Sequence, residues 1–284
     1  DRTVSGYSDE IRCMVFLVGL EKTEMGEVEM IFETHAHFDD DAFKEDRDAL
    51  LSSMEEGGIT TIVNISSDKK SIEDTLALTR KYPFVYGAVG IHPCDTEGLT
   101  EADLAYIRNA SRQDKILAIG EIGLDYYWDE PDRAIQKKWF EAQMELAREE
   151  KLPVVIHSRD AAKDTVDMMK ALRAEEIGGV VHCYSYSKEL AKTFLDMGFY
   201  IGVGGVVTFK NARKLKEAVE YIPLDRIVLE TDSPYLAPEP NRGKRNSSLN
   251  LPYVAQQMAD LKGTSYEEVV MVTRKNAETL YRMG

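Results

Sequence analysis

Eight short, β-rich apolar runs recur along almost the whole chain, and longer amphipathic segments separate them. Runs and segments that alternate in this way are typical of βα units and predict a parallel sheet. The predicted strands are residues 30–34, 60–65, 85–91, 116–121, 153–157, 179–182, 199–203 and 226–230.

The segment between the fourth and fifth runs, residues 132–150, shows the helical pattern most clearly. Ile135, Trp139 and Leu146 can share one face, while charged residues between them are left for water. Eight strands, each followed by a helix, predict an α/β fold, a single closed (β/α)8 TIM barrel, which commonly takes about 250 residues. An open, doubly wound sheet is the alternative, but it would usually carry a glycine-rich phosphate turn after its first strand. This chain has His35 and His37 there.

The series of strands and helices divides the chain into two parts. Residues 30–284 form the predicted barrel domain, with its active site at the C-terminal ends of the strands. Residues 1–29 precede the first strand, and Met30 resembles a natural start. We expect the first segment to be either an extra strand at the barrel bottom or a non-native start.

Charge and cysteine content limit the function classes. The net charge of −15 argues against a protein that coats nucleic acid, since such binding needs clustered Lys and Arg, but it permits an enzyme that holds one strand end. Three cysteines without a Cys-x-x-Cys pair argue against a disulfide framework and favour a reducing cytoplasm. The apolar stretch 13–20 is too short to span a membrane. We expect neither membrane attachment nor an obligate protein partner.

The five histidines of the chain all lie at, or just beyond, the C-terminal end of a predicted strand. Active sites of this fold form at that end. His35 and His37 form a His-x-His pair, and because side chains alternate along a strand, both rings project to the same side. The pair therefore predicts a metal site.

Two carboxylates follow apolar runs in the same way. Glu121 ends the fourth run, where a buried carboxylate is costly unless a cation or a hydrogen-bond donor meets it, so we interpret it as a ligand that could bridge two ions. Asp232 follows the eighth run, and Glu230 shares its side by alternation.

His157 and His182 complete the set. Four histidines and two carboxylates exceed what one tetrahedral zinc requires, and they fit two ions that share a carboxylate, an arrangement suited to displacement at phosphorus. Alternation is expected to turn Cys183 away from the side of His182. His92 begins a loop, and we favour a substrate contact over metal ligation for it.

A basic stretch, residues 241–246, follows the last strand of this acidic chain. Arg242, Lys244 and Arg245 are candidates for phosphate recognition, and the alternative is a solvated loop. Arg159 could join them or pair with Asp160. The aromatic run at residues 126–128 could stack bases of a single-stranded end or form a hydrophobic lid on the next helix.

Seven stretches in order resemble the TatD family of metal-dependent deoxyribonucleases, within the amidohydrolase-like TIM barrels. They are THAHFD (34–39), GIHP (90–93), GEIGLDY (120–126), PVVIHSRD (153–160), HCYS (182–185), ETDSPY (230–235) and RGKRN (242–246). Asn241 stands where many members have His, and Ser247 and Ser248 stand where an acidic residue and Pro are common, so the departures fall in the substrate loop.

The resemblance implies one metal bound by His35, His37, Glu121 and Asp232, and a second bound by Glu121, His157 and His182. It also implies hydrolysis of phosphodiester bonds, typically of DNA, and in some members 3′ to 5′ exonuclease activity on single strands. The expected cofactors are two divalent ions, with zinc, manganese, iron, nickel or magnesium as candidates.

The expected mechanism uses a metal-activated water that Asp232 orients and deprotonates, with Glu121 as the shared ligand. His92, Arg159 and the basic stretch would hold single-stranded ends of DNA. A lactonase, esterase or amidase of the amidohydrolase type could use the same set of metal ligands. A barrel that only binds a ligand is a further alternative. The basic stretch favours the phosphodiester, because a neutral substrate would not require it.

Overall fold

The computed structural model describes residues 30–283, and eight parallel strands in sequential order form its sheet. The strands are β1 (Ile31–Ala36), β2 (Ile59–Ile65), β3 (Val85–Val89), β4 (Ile116–Asp125), β5 (Val154–Arg159), β6 (Gly179–Val181), β7 (Tyr200–Val203) and β8 (Ile227–Leu229). The helices are α1 (Arg47–Ser52), α2 (Lys69–Lys81), α3 (Glu101–Ser111), α4 (Arg133–Glu150), α5 (Ala162–Ala171), α6 (Lys188–Asp196), α7 (Arg213–Tyr221), α8 (Leu251–Lys262) and α9 (Tyr266–Leu280). The predicted (β/α)8 barrel is confirmed. The predicted extension, residues 1–29, lies outside the described residues.

Helix α4 shows how local sequence sets the elements. The Asp132 side chain accepts a hydrogen bond from the Ala134 N–H and caps the first turn, and Lys151 ends the helix in a left-handed conformation. Trp139 and Leu146 are buried on one face. The amphipathic pattern therefore predicts this helix to within a residue.

Two hydrophobic clusters fill the fold. The smaller cluster takes side chains from seven of the eight strands, a set that can meet only inside the barrel: Phe32, Val63, Ile65, Ala88, Ala118, Val155, Val180 and Val228. The larger cluster joins the strands to the surrounding helices. The interior is thus a packed core, and polar chemistry is left to the strand ends.

Hydrogen bonds between the first and last strand ends close the barrel. The Asp232 N–H donates to the His35 carbonyl at 2.9 Å. The buried carboxylate of Glu33 accepts from the Thr231 N–H at 3.0 Å and from the Thr231 hydroxyl at 2.6 Å. Closure therefore places the ligand candidates that follow β8 beside those of β1.

The strand ends differ from the predicted ones. β1 runs to Ala36 and so contains His35, and β4 continues past Glu121 to Asp125. β6 and β8 end before His182 and Glu230. Within residues 30–283, no helix has both the length and the apolar character that crossing a membrane requires.

Candidate metal centre

The C-terminal end of the barrel gathers all six predicted metal ligands. They fall into groups whose ligand atoms lie within 4.8 Å of one another. The side chains concerned are His35, His37, Glu121, His157, His182 and Asp232. Contributions from β1, β4, β5 and the segments after β6 and β8 therefore converge, as the strand-end positions predicted.

The first group surrounds His35 and His37. Their Nε2 atoms are 3.1 Å apart, and Asp232 Oδ1 lies 3.6 Å and 3.3 Å from them. Glu121 Oε2 lies 3.4 Å from His35 Nε2 and 3.8 Å from His37 Nε2. Tetrahedral ligands at zinc distances of about 2.0–2.1 Å are separated from one another by about 3.3 Å. The spacing of these four donors therefore fits a single divalent ion.

The orientation of the His37 ring also favours metal binding. Its Nδ1 lies 2.8 Å from the Ile65 carbonyl oxygen. A carbonyl oxygen only accepts, so Nδ1 carries a hydrogen, and a cation that displaces the proton from Nε2 would meet the lone pair there. Such a bond is how proteins usually fix the tautomer of a metal-binding histidine.

The second group meets the other oxygen of Glu121. Glu121 Oε1 lies 2.6 Å from His157 Nδ1 and 2.7 Å from His182 Nε2, and these two nitrogens are 3.4 Å apart. Each oxygen of this carboxylate thus faces a different pair of imidazoles. One buried side chain connects both groups.

The pKa values of the carboxyl and imidazole groups show how the charges of the centre are balanced. Burial would raise the pKa of Glu121, but the neighbouring imidazoles hold it well below its usual range. Burial lowers the pKa of His157, yet the hydrogen bonds that it donates to Asp125 and Glu121 raise it to about 9. For His37, the hydrogen bond and charge of Asp232 likewise outweigh burial and raise the pKa to about 10. The raised pKa values of His37 and His157 therefore favour protonated rings beside the carboxylates, whereas burial lowers the pKa of His35 to about 4. A divalent cation can take the place of the protons.

Asp125 was missed in the sequence. Its Oδ2 lies 3.0 Å from His157 Nε2, and its Oδ1 accepts from the Tyr127 and Trp128 N–H groups at 3.0 Å and 3.1 Å. The carboxylate thereby holds the His157 ring with Nδ1 directed at Glu121. Its even spacing of four residues from Glu121 along the same strand was the available signal, and ending the strand too early concealed it.

Cys183 corrects a further expectation. It lies beyond the end of β6 with φ of +46°, so strand alternation does not govern it, and it lines the same cavity as Asp232 and Glu230. The expectation that it faces away from the site is wrong. Its N–H donates to the Glu230 carboxylate, whose pKa burial raises to about 8.

His92 lies at the edge of the centre. Its Nε2 is 3.9 Å from Glu121 Oε1, and its Nδ1 accepts from the Cys94 N–H at 3.2 Å. Burial, with the charge of His157, lowers its pKa to about 3. A neutral ring that accepts at Nδ1 presents an N–H at Nε2. His92 also belongs to a group that could hold a metal, with Glu121 and His157, so the substrate contact stays a prediction.

Arg159 is exposed, and its guanidinium lies 3.8 Å from the centre of the Tyr127 ring. Among residues 30–283 it forms no ion pair with a carboxylate, so the alternative pairing with Asp160 is not formed. Burial raises the pKa of the Cys94 and Cys183 thiols, and the positive charge of Arg159 acts against it at both. Arg159 therefore faces the barrel mouth.

The basic stretch has divided roles. Arg245 forms two hydrogen bonds with the Asp46 carboxylate, at 2.8 Å and 2.6 Å. The Arg242 guanidinium lies 4.2 Å from the centre of the Phe209 ring, and both Arg242 and Lys244 are exposed. The three cations are thus not equivalent, and the structure assigns Arg245 a contact within the protein.

Asn246 fixes this loop to the site. Its side-chain amide donates to the carbonyls of Thr231 at 3.0 Å and Tyr235 at 2.7 Å. These residues flank Asp232 in the segment after β8. The loop position is therefore tied to a predicted ligand, although its charged tips remain exposed.

Comparison with known proteins agrees with the fold and identifies the family. The family model described as TatD related DNase matches residues 32–282. The uncharacterized metal-dependent hydrolase YabD of Bacillus subtilis (strain 168) is 43% identical over 255 residues, which cover 90% of this chain and 100% of that protein. The crystal structure of YjjV, a TatD homologue from Escherichia coli K12, has a TM-score of 0.85 at 30% identity and covers 90% of this chain and 99% of that one. The chain belongs to the TatD-related DNase family of metal-dependent hydrolases.

Proposed function

We propose that the protein hydrolyses phosphodiester bonds of DNA with water activated by two divalent cations. The observation that carries the proposal is the placement of Glu121, whose two oxygens face different pairs of imidazoles. A shared carboxylate suits two adjacent cations, and such a pair stabilises both the attacking and the leaving oxygen in displacement at phosphorus.

The proposed ligands follow from the two groups. His35, His37, Glu121 and Asp232 would hold one cation, and Glu121, His157 and His182 the other. Bound divalent cations lower the pKa of a coordinated water and neutralise phosphate charge. A centre rich in imidazole suits zinc, manganese, iron or nickel better than magnesium.

Asp232 is the proposed general base. Its side chain is 19% exposed, whereas that of Glu121 is 5% exposed, so Asp232 is the more accessible to an attacking water. Its pKa is lowered although burial opposes this, because the His37 hydrogen bond and nearby imidazoles favour the carboxylate. An ionised carboxylate at that position can orient the water and accept its proton.

The remaining side chains would hold the substrate. The Nε2–H of His92 and the guanidinium of Arg159 would bind the scissile phosphate, and Arg242 and Lys244 would bind phosphates farther along the strand. Arg245 would contribute less, because Asp46 already occupies its guanidinium.

A lactonase, esterase or amidase remains the second candidate, because cations held by the same ligands could activate water for attack at carbon. Arg159 without a carboxylate partner in the described chain, together with exposed Arg242 and Lys244 in a protein of net charge −15, favours an anionic substrate. A neutral ester or amide would not require these cations.

The test compares substrates on metal-reconstituted protein. End-labelled single-stranded DNA, duplex DNA, a small phosphodiester and a lactone would be assayed beside protein stripped with a chelator. We expect metal-dependent cleavage of single-stranded DNA. Hydrolysis of the lactone by a protein that leaves every phosphodiester intact would reject the proposal.

A further inference from the structure

Two exposed aromatic side chains stand beside each other after β4. Trp128 is 65% exposed and Tyr127 is 54% exposed, with their rings nearly perpendicular and their centroids 5.1 Å apart. Tyr126 differs, since its hydroxyl donates to Asp164 and its ring packs under Arg133 at 4.0 Å. Tyr126 packs against the hydrophobic core, whereas Tyr127 and Trp128 are more than half exposed and do not form the hydrophobic lid.

The barrel fixes the position of this aromatic pair. Asp125 Oδ1 accepts from both of their backbone N–H groups, and the Tyr126 N–H donates to the Arg159 carbonyl at 2.9 Å. Asp125 and Arg159 are also register partners in the β4–β5 pairing. A surface that is held in place in advance loses little conformational entropy on binding.

The same contacts link the aromatic pair to the metal centre. The other oxygen of Asp125 bonds to His157, and Arg159 lies two residues beyond His157 on β5. The guanidinium of Arg159 stacks on Tyr127. Within residues 30–283, it forms no ion pair with a carboxylate. The N–H groups at its edge are therefore available for an anion while its face is held by the ring.

We propose that Tyr127, Trp128 and Arg159 form a subsite for one nucleotide of single-stranded DNA. The base stacks on the exposed aromatic faces, and Arg159 binds the adjoining phosphate. The inference rests on the proposed function and specifies its substrate. In a duplex, neighbouring bases cover the faces that this subsite needs, so it selects unpaired ends. An aromatic surface beside an unpaired guanidinium matches an anionic strand whose bases are free.

Tryptophan fluorescence tests the subsite directly. The chain has two tryptophans, and Trp139 is buried in α4, so the Trp139→Phe variant retains Trp128 alone. The metal-loaded variant would be titrated with a phosphorothioate oligothymidylate and with an abasic strand of equal length and charge. We expect the thymidylate to quench the emission and the abasic strand to leave it unchanged. Equal quenching by the two strands, or none by either, would overturn the subsite.

Binding by variants made in the wild-type background, which keeps Trp139, provides a second test. Trp128→Ala should bind oligothymidylate about 10-fold more weakly, and Trp128→Phe should recover most of the loss, because base stacking contributes about 1–3 kcal/mol per base. Tyr221→Ala is the matched control, since Tyr221 is 47% exposed at the end of α7, before β8 begins. It should bind like the wild type. Wild-type affinity in Trp128→Ala would overturn the proposal.

The outcomes separate this inference from the proposed function. If the wild type cleaves DNA and Trp128→Ala binds it normally, the function stands and the subsite is rejected. If the thymidylate quenches Trp128 while reconstituted protein cleaves no DNA, the subsite stands and the nuclease proposal is rejected. Loss of self-association in Trp128→Ala, with unchanged DNA binding, would identify a protein contact and overturn the subsite.

Discussion

The metal centre and the basic loop at residues 241–246 lie at the same end of the barrel but are built differently. The ligand candidates lie on strands or on the residues just beyond them, and three of the six are buried while three are half-buried. The cations of the loop lie on an exposed segment, where Asn246 fixes the backbone and Asp46 occupies Arg245. Backbone position decides where a strand-borne ligand points, whereas nearby carboxylates decide which cations of a loop are available.

Removal of the shared carboxylate should have the largest effect, because it disrupts the metal centre itself. Glu121→Ala should lower activity to that of the chelator-stripped protein and reduce bound metal, because this carboxylate faces both groups of imidazoles. Metal analysis and the oligonucleotide assay measure it. Glu217→Ala, at an exposed position on α7, is the control and should match the wild type. Normal metal content and rate in Glu121→Ala would remove Glu121 from the site.

Asp125→Asn tests whether Asp125 orients His157, one of the ligand candidates. Asparagine keeps an oxygen for the Tyr127 and Trp128 N–H groups but replaces the oxygen that faces His157 Nε2 with an amide NH₂. Metal affinity at the His157 site should fall by about 10- to 100-fold, the usual range for such partners. Calorimetric metal titration measures the loss. A titration curve that overlays that of the wild type would show that Asp125 only shapes the loop.

The sequence anticipated the fold and the convergence of the ligand candidates for a clear physical reason. Each apolar run had to be a strand, and the end of each strand in a barrel has a known direction, so histidines placed there had to converge. Asp125 escaped notice because apolar character does not define how far a strand continues. Cys183 was misplaced because alternation ends with the strand.

The residues proposed to bind substrate could not be predicted in the same detail. Exposed cations have many solvated conformations, and only the fold reveals that Asp46 faces Arg245 while Arg159 has no such partner among the described residues. The aromatic run posed the same difficulty. The sequence left a stacking surface and a lid as alternatives, and the contrast between half-buried Tyr126 and exposed Trp128 separates them.

The loop cations give a smaller effect that sharpens the comparison. Replacing Arg242 and Lys244 by Ala should weaken oligonucleotide cleavage more than cleavage of a small phosphodiester, which needs only the metal centre. The salt dependence of strand binding should flatten by about 0.7 in slope per lost contact. Arg245→Ala should change binding less, because its guanidinium is engaged by Asp46. Equal losses on both substrates would indicate damage to the metal centre instead.

Cys183→Ser should have the smallest effect. The thiol lines the cavity beside Asp232, but it belongs to none of the described groups that could hold a metal. Serine preserves the backbone N–H that bonds to Glu230 and is similar in size. Metal content and rate should both remain near wild type. Loss of metal in this variant would place the thiol among the ligands.

The most direct test of the shared carboxylate is a crystal structure of the metal-loaded protein with anomalous data at the absorption edge of the metal. Two peaks per chain are expected, one beside His35 and His37 and the other beside His157 and His182, with one oxygen of Glu121 bound to each. A single peak at full metal loading, or two peaks that Glu121 does not join, would contradict the proposed centre.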